Sequence, residues 1–172
     1  MNFSSGEGTG TAFHVTLPFA IDPTPTAVAD NTADSIDLTG MQILLAEDNE
    51  INAMIVVELL ARRGAAVDRA ENGQAVVDRF RSMPVGTYDA ILMDIQMPVL
   101  NGWGAAEQIR DLEREDAAAI PIIALSANDY TEDVERSRKA GMNGHVGKPI
   151  DLNVLKAQLA AATAEVAYRG NE

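Results

Sequence analysis

A chain of 172 residues holds one ordinary domain with an appendage. Hydrophobic residues make up 47%, enough to bury a sizeable core, and the lack of cysteine excludes disulfides and thiolate metal sites. A formal net charge of −13 argues against nucleic acid as a partner, since a phosphate backbone would be repelled. No apolar run reaches bilayer-spanning length, and the N-terminus lacks a basic region followed by an apolar core. Neither membrane insertion nor a signal peptide is therefore expected. The default compartment is cytoplasmic, within a parent protein that could itself be membrane-anchored.

The charge is uneven. Residues 1–40 contain five acids and no Lys or Arg. Small polar residues open the chain and lead into Gly6-Glu7-Gly8-Thr9-Gly10. Phe13, Val15 and Leu17 then alternate with His14 and Thr16 until Pro18, which predicts a single strand over 11–17. One strand has no sheet of its own, so it is expected to be disordered or to pair with the edge of a neighbouring chain. The glycines could form a phosphate loop, but no Lys-Ser/Thr follows and no helix opens there. Gly-x-Gly-Thr followed by a strand ending in Leu17-Pro18 resembles the last glycine box and final strand of a histidine-kinase ATPase domain. That resemblance implies only the domain's tail over 1–20, without the other ATP-binding boxes. Residues 21–40, with Pro23, Pro25, four aspartates and four threonines, read as a flexible linker.

From Met41 strands and helices alternate. Residues 42–46 form a short apolar strand ending at Glu47-Asp48. Asn49 caps a helix in which Ile51, Met54, Ile55 and Leu59 recur at helical spacing until Gly64. A second strand spans 67–70, and a helix opens at Asn72 or Gly73 and runs to Met83. The third strand carries the buried run Ile91-Leu92-Met93 and stops on Asp94 before a turn at Pro98. Residues 102–115 are expected as helix, 120–125 as the fourth strand, 131–140 as helix, and His145-Val146 as the fifth strand. Asp151 caps a last helix to Tyr168, so the domain spans 41–168 with a tail at 169–172. The pattern predicts an α/β fold: a doubly wound, flavodoxin-like, five-stranded parallel sheet of order 2-1-3-4-5 with helices on both faces.

In that topology the carboxyl ends of the strands bring Glu47, Asp48, Asp94, Ser126 and Lys148 to one edge, where open sheets bind ligands. Three acids in one cleft need a cation or raised pKa values, and oxygen-only ligands favour a hard ion such as Mg²⁺. Asp94 beside such an ion would stay ionised and able to attack phosphorus, and Lys148 would meet phosphoryl oxygens. The bland alternatives are that Glu47 and Asp48 only cap the first helix, that Ser126 is a turn residue, and that Lys148 is a solvated surface group.

Residues 41–165 resemble the receiver domain of two-component response regulators. The motifs are Leu-Leu-Ala-Glu-Asp-Asn at 44–49, Met-Asp-Ile-Gln-Met-Pro at 93–98 with Asn101-Gly102, Ala-Leu-Ser-Ala at 124–127, and Gly-Lys-Pro at 147–149. The resemblance implies that Asp94 takes a phosphoryl group from a phosphohistidine. It also implies that Asp48, Asp94 and the Gln96 backbone carbonyl hold Mg²⁺ (or Mn²⁺), with Glu47 acting mainly through water. Lys148 would contact the phosphoryl group, Ser126 would be the hydroxyl switch, and the Lys148–Pro149 bond would be cis. His145 falls where the family often has Tyr or Phe, and as a lone His beside a hydrophobic strand it otherwise reads as a packed ring. Asn101 stands in for a commoner Asp.

With the linker and the kinase-like tail, this points to the C-terminal receiver of a hybrid sensor histidine kinase. Its partners would be the kinase phosphohistidine and a histidine phosphotransfer protein. Self-association would use the face of the fourth helix, fifth strand and fifth helix, or the N-terminal strand. A stand-alone single-domain response regulator is the nearest alternative. A metal-dependent aspartyl-phosphate phosphatase would carry a second Asp at position 96, which is Gln here, and an unphosphorylated docking module would lack Asp94 or Lys148. The chain is thus expected to turn over nothing beyond its own acyl phosphate.

Overall fold

The computed structural model describes residues 2–6, 10–14, 36–127 and 131–169. The chain divides into two units, Met1–Thr32 and Ala33–Glu172. In the first, β1 (Asn2–Gly6) pairs antiparallel with β2 (Gly10–His14), with Phe3 opposite Phe13. This corrects the expectation of a lone strand over 11–17 that is unpaired within its own chain. Phe3 is the sole large apolar residue of Asn2–Gly6, so the segment gives no alternation signal, yet backbone ladder bonds need none. Residues 15–17 of the expected strand lie outside the described residues.

The second unit is built on β3 (Gln42–Ala46), β4 (Ala66–Ala70), β5 (Ala90–Asp94), β6 (Ile122–Ser126) and β7 (Gly144–Gly147). They form a parallel sheet in the order β4-β3-β5-β6-β7, the 2-1-3-4-5 order expected from the pattern. The helices are α1 (Glu50–Ala61), α2 (Gly73–Ser82), α3 (Gly102–Arg110), α4 (Thr131–Lys139) and α5 (Leu152–Arg169).

Strand residues alternate strictly between the two cores, as a period of two demands. Leu44, Ala46, Ile91, Met93, Ile122 and Ala124 pack with α2 and α3 around Phe80 and Ile109. Ile43, Leu45, Ala90, Leu92, Ile123, Leu125 and Val146 pack with α1 and α5 around Leu60 and Leu155. Because both faces are covered, the central strands are apolar throughout instead of alternating with polar residues.

Asparagines start three of the helices. The Asn49, Asn72 and Asn101 side chains accept from the backbone N–H of Asn52, Ala75 and Gly104 at 3.0, 2.8 and 2.9 Å. Asn101 therefore does the capping work that an Asp would do. Helix α1 differs from its periodic reading: Ile51, Met54 and Ile55 are 69, 66 and 61% exposed, while Ala53, Val56 and Leu60 are buried. The helix is apolar on both sides, so periodicity located the helix but not its buried face.

Helix α3 stops at Arg110, five residues short of the expected 115, although no Gly or Pro interrupts 111–119. Two arginines end it by tertiary hydrogen bonds. Arg110 donates to the carbonyls of Gly141, Ala117 and Ile120. Arg114 reaches the Phe80 and Met83 carbonyls at the end of α2, stacks 4.2 Å above the Phe80 ring, and pairs with Asp116 at 2.5 Å. The orphan carbonyls of one helix thus bend the chain that follows another.

Gly102 sits where backbone meets backbone. A Cβ there would lie 2.2 Å from the Asp94 carbonyl oxygen. Replacing it with alanine should cost about 1–3 kcal/mol, because the obstacle is the main chain and cannot rotate away. Urea unfolding of Gly102→Ala against the parent checks this, with no loss being the contrary result. The Arg114 guanidinium, with the Gly86 amide, holds the Asp116 carboxyl below the usual carboxylate range. A folded-state pKa below the unfolded one contributes stability above the unfolded value of about 3.9, lost as pH falls through the folded one. The stability gap between the parent and Asp116→Asn should therefore be constant near pH 7 and shrink below about pH 4, as read from denaturation midpoints along a pH series.

Candidate functional site

The register of the sheet assembles the site. Ala46 lies opposite Met93, so Glu47 and Asp94, each one residue further on, stand side by side on adjacent strands. By the same alternation they share the side of Val146, two residues before Lys148. The Lys148 ammonium fills the gap between them, with Nζ 2.5 Å from Glu47 Oε2 and 2.7 Å from Asp94 Oδ2. Its backbone N–H donates to the Ser126 carbonyl at 2.7 Å, and its bond to Pro149 is cis, as expected.

Glu47 is 1% exposed, and both of its oxygens are engaged. Besides Lys148 it accepts from the Asn49 N–H at 3.3 Å and the Asn52 amide at 3.2 Å. Asp94 Oδ1 accepts from the Gln96 N–H at 3.2 Å. Asp48, in contrast, is exposed, yet one of its oxygens lies within 4.8 Å of oxygens of Glu47 and Asp94. These groups line a cleft of ≈ 300 Å³, together with Ser126, Ala127 and Asp133 from the start of α4.

The electrostatics follow from the burial. Desolvation pushes the Asp94 carboxyl above its ordinary value, against the pull of the Lys148 ammonium and the Gln96 amide. Burial would lower Lys148, but the carboxylates of Asp94 and Glu47 outweigh it and hold the ammonium firmly charged. Taken at their formal charges, Glu47, Asp48, Asp94 and Lys148 come to −2 (−3 + 1), which one divalent cation matches. Two bare carboxylates about 4 Å apart repel by roughly 4 kcal/mol at an effective dielectric of 20. Hard oxygen donors on a partly open cleft suit a small hydrated ion, so the donor set fits Mg²⁺.

Glu47, Asp48, Asp94, Gln96, Ser126 and Lys148 are therefore brought together, and His145 is not. It lies on β7 opposite Ala124, beside a separate cavity lined by Val134, Ser137 and Gln158. Sequence reasoning passed over two residues that touch the site's framework. Asn52 sits in the first turn of α1, five residues after Glu47, a placement that the cap at Asn49 could have exposed. Arg69 donates Nε to the Glu47 carbonyl and Nη2 to the Asp48 carbonyl, both at 3.2 Å, and that contact depends on the β3–β4 register alone.

Known proteins are similar to this chain in sequence and in fold. The response regulator receiver domain family matches residues 43–160. Hybrid signal transduction histidine kinase I of Dictyostelium discoideum is 35% identical over 131 residues, covering 72% of this chain and 8% of that protein. The peroxide stress-activated histidine kinase of Schizosaccharomyces pombe is 36% identical over 141 residues, covering 78% and 9%. The chain thus spans under a tenth of the length of either relative. Among solved structures, the receiver domain of a Pseudomonas aeruginosa sensor histidine kinase has magnesium coordinated in its active-site cleft. It is 36% identical with a TM-score of 0.64, covering 73% of this chain and 99% of that one. The receiver domain of a Saccharomyces cerevisiae response regulator, crystallised with a histidine phosphotransfer protein, is 33% identical with a TM-score of 0.62, covering 70% and 86%. With the sheet order, the acidic edge and the family match in agreement, this chain belongs to the response regulator receiver domains of two-component signalling.

Proposed function

We propose that Asp94 is the phosphoacceptor of a phosphorelay and that this receiver belongs to a hybrid histidine kinase. The carrying observation is the ammonium of Lys148 held between Asp94 and Glu47 at the carboxyl edge of the sheet. An Asp94 carboxylate oxygen attacks the phosphorus of a phosphohistidine. The P–N bond breaks, its electron pair stays on the imidazole, which takes up a proton, and an acyl phosphate remains on Asp94. Asp48, Asp94 and the Gln96 carbonyl, with Glu47 through water, would hold a Mg²⁺ ion, which would supply neutralising charge for the transferring group.

Lys148 exchanges a carboxylate partner for a phosphoryl oxygen, and the Ser126 hydroxyl donates to another. The acyl phosphate carries about −1.5 to −2 in place of the carboxylate's single charge and presents three phosphoryl oxygens, which alters what Lys148 and Ser126 hold, and this is the switch. His145, on β7 outside the cleft, borders Val134 and Ser137 of α4 and Gln158 of α5 and lies three residues before Lys148 on the same segment. Attack by water on the acyl phosphate resets the domain.

The hybrid-kinase reading is supported by the curated relatives, whose names describe histidine kinases. On that reading residues 1–20 are the end of an ATPase domain and the tether ends before 36, short of the expected 40. Ile36 and Leu38 are buried in the α1–α5 core, and the Leu38 N–H donates to the Arg63 carbonyl. The partners are the kinase's phosphohistidine domain and a histidine phosphotransfer protein, of the kind crystallised on the yeast neighbour. Ile51, Met54 and Ile55 are exposed on α1, and Ile55 lines a second groove with Glu47, Lys148, Pro149 and Ile150. An apolar helix face beside the nucleophile suits a helical partner that must bring its histidine within reach.

Incubation with a small acyl-phosphate donor and Mg²⁺ should add one phosphoryl group by intact mass. Asp94→Asn should add none, and Lys148→Met should lose at least tenfold in rate; a parent that takes up nothing would overturn the assignment. Ile55→Glu should be phosphorylated normally by the small donor but accept at least tenfold more slowly from a phosphorylated histidine phosphotransfer protein. Equal slowing with both donors would remove the docking assignment.

A further inference from the structure

We propose that Arg69 is a positioning residue for the metal site: it grips the main chain of Glu47 and Asp48, and so aims the Asp48 carboxylate into the cleft. This rests on the reading of Glu47, Asp48 and Asp94 as the metal-binding cluster. Each of the three acids is held differently. Glu47 is buried and fixed by Lys148, Asn49 and Asn52. Asp94 is fixed by Lys148 and the Gln96 amide. Asp48 is exposed, and among the described residues no hydrogen bond holds its carboxylate. Its direction is therefore set by its backbone, one residue past the last sheet hydrogen bond, from Glu47 N–H to the Ala70 carbonyl at 3.1 Å.

Arg69 takes over where the ladder ends. It lies opposite Leu45 on the neighbouring strand, and its planar fork spans two consecutive carbonyls, those of Glu47 and Asp48, at 3.2 Å each. Charge-assisted donors on two adjacent peptides fix the orientation of both peptide planes, which a single-point ammonium does not do. A group that orients a ligand in this way typically governs metal affinity by ten- to a hundredfold.

A purely electrostatic role predicts the opposite sign. Arg69 is a cation close to a site that must take up a second cation, so its charge alone disfavours metal. Deleting it would then tighten binding, whereas losing the grip on Asp48 would weaken it. Calorimetric titration of the full chain with MgCl₂ at fixed ionic strength separates the two. Arg69→Met, which keeps most of the stem and loses every donor, should bind about tenfold or more weakly. Arg69→Lys, which keeps the charge but can span only one carbonyl, should fall between it and the parent. Affinity equal to the parent or tighter in Arg69→Met overturns the proposal. If that variant does not fold, unchanged or tighter binding in Arg69→Lys does the same. Asp48→Asn, measured alongside, should lose most of the affinity. Binding unchanged in that variant would remove the metal reading itself, and the proposal with it.

Discussion

The site depends on one contact, the ammonium of Lys148 lying between Glu47 and Asp94. Both acids are nearly excluded from water, and a buried charge that loses its only counter-ion costs several kcal/mol. A lysine just past the last strand therefore joins the carboxyl ends of the first and third strands of the sheet, 101 and 54 residues earlier in the chain. The pair is also incomplete by design. One lysine leaves two of the three formal negative charges unmatched, which suits a divalent cation; on the proposed function, phosphoryl oxygens would then compete for the same ammonium. A contact that is strong and yet exchangeable is what a switch needs.

The sheet makes that contact possible by its arithmetic. Strict alternation between two cores sends Glu47 and Asp94 to the same side, and the Ala46–Met93 pairing sets them level. A slip of one residue in either strand would turn one of the two acids into the opposite core. The apolar runs of β3, β5 and β6 are thus more than filling. Their packing on both faces fixes the register on which the chemistry depends. Gly102 belongs to the same constraint, because only a residue without a Cβ lets α3 start against the carbonyl of Asp94.

Much of this was legible from residue types. The alternation of apolar runs with capped helical segments was enough for the sheet order, and acids, serine and lysine at strand ends were enough for the cleft. What escaped was long-range and side-specific. The end of α3 was hidden because Arg110 and Arg114 stop it by reaching carbonyls that are remote in sequence, a tertiary override of good helical propensity. The buried face of α1 was hidden because the helix is apolar on both sides, so its spacing is blind to the direction of the core. The β1–β2 ladder was hidden because backbone pairing can recruit a segment with almost no side-chain pattern.

Arg69 and the outer face of α1 escaped for a shared reason: neither is needed for the fold's pattern, and both concern how the site meets something else. Nothing in the strand β4 pattern requires arginine at 69, where the side chain is half-buried and points its donors at a neighbouring loop. Nothing in the core requires isoleucine at 51 or 55, where lysine or glutamate would serve a solvated helix as well. Three large apolar residues kept in water at 61–69% exposure carry a solubility cost and return no folding gain. Ile55 lies in a groove with Glu47 and Lys148, the placement on which the docking proposal rests. The chain's interior thus places Asp94 at the carboxyl edge of the sheet, while Arg69 and the outer face of α1 are choices that the core does not dictate.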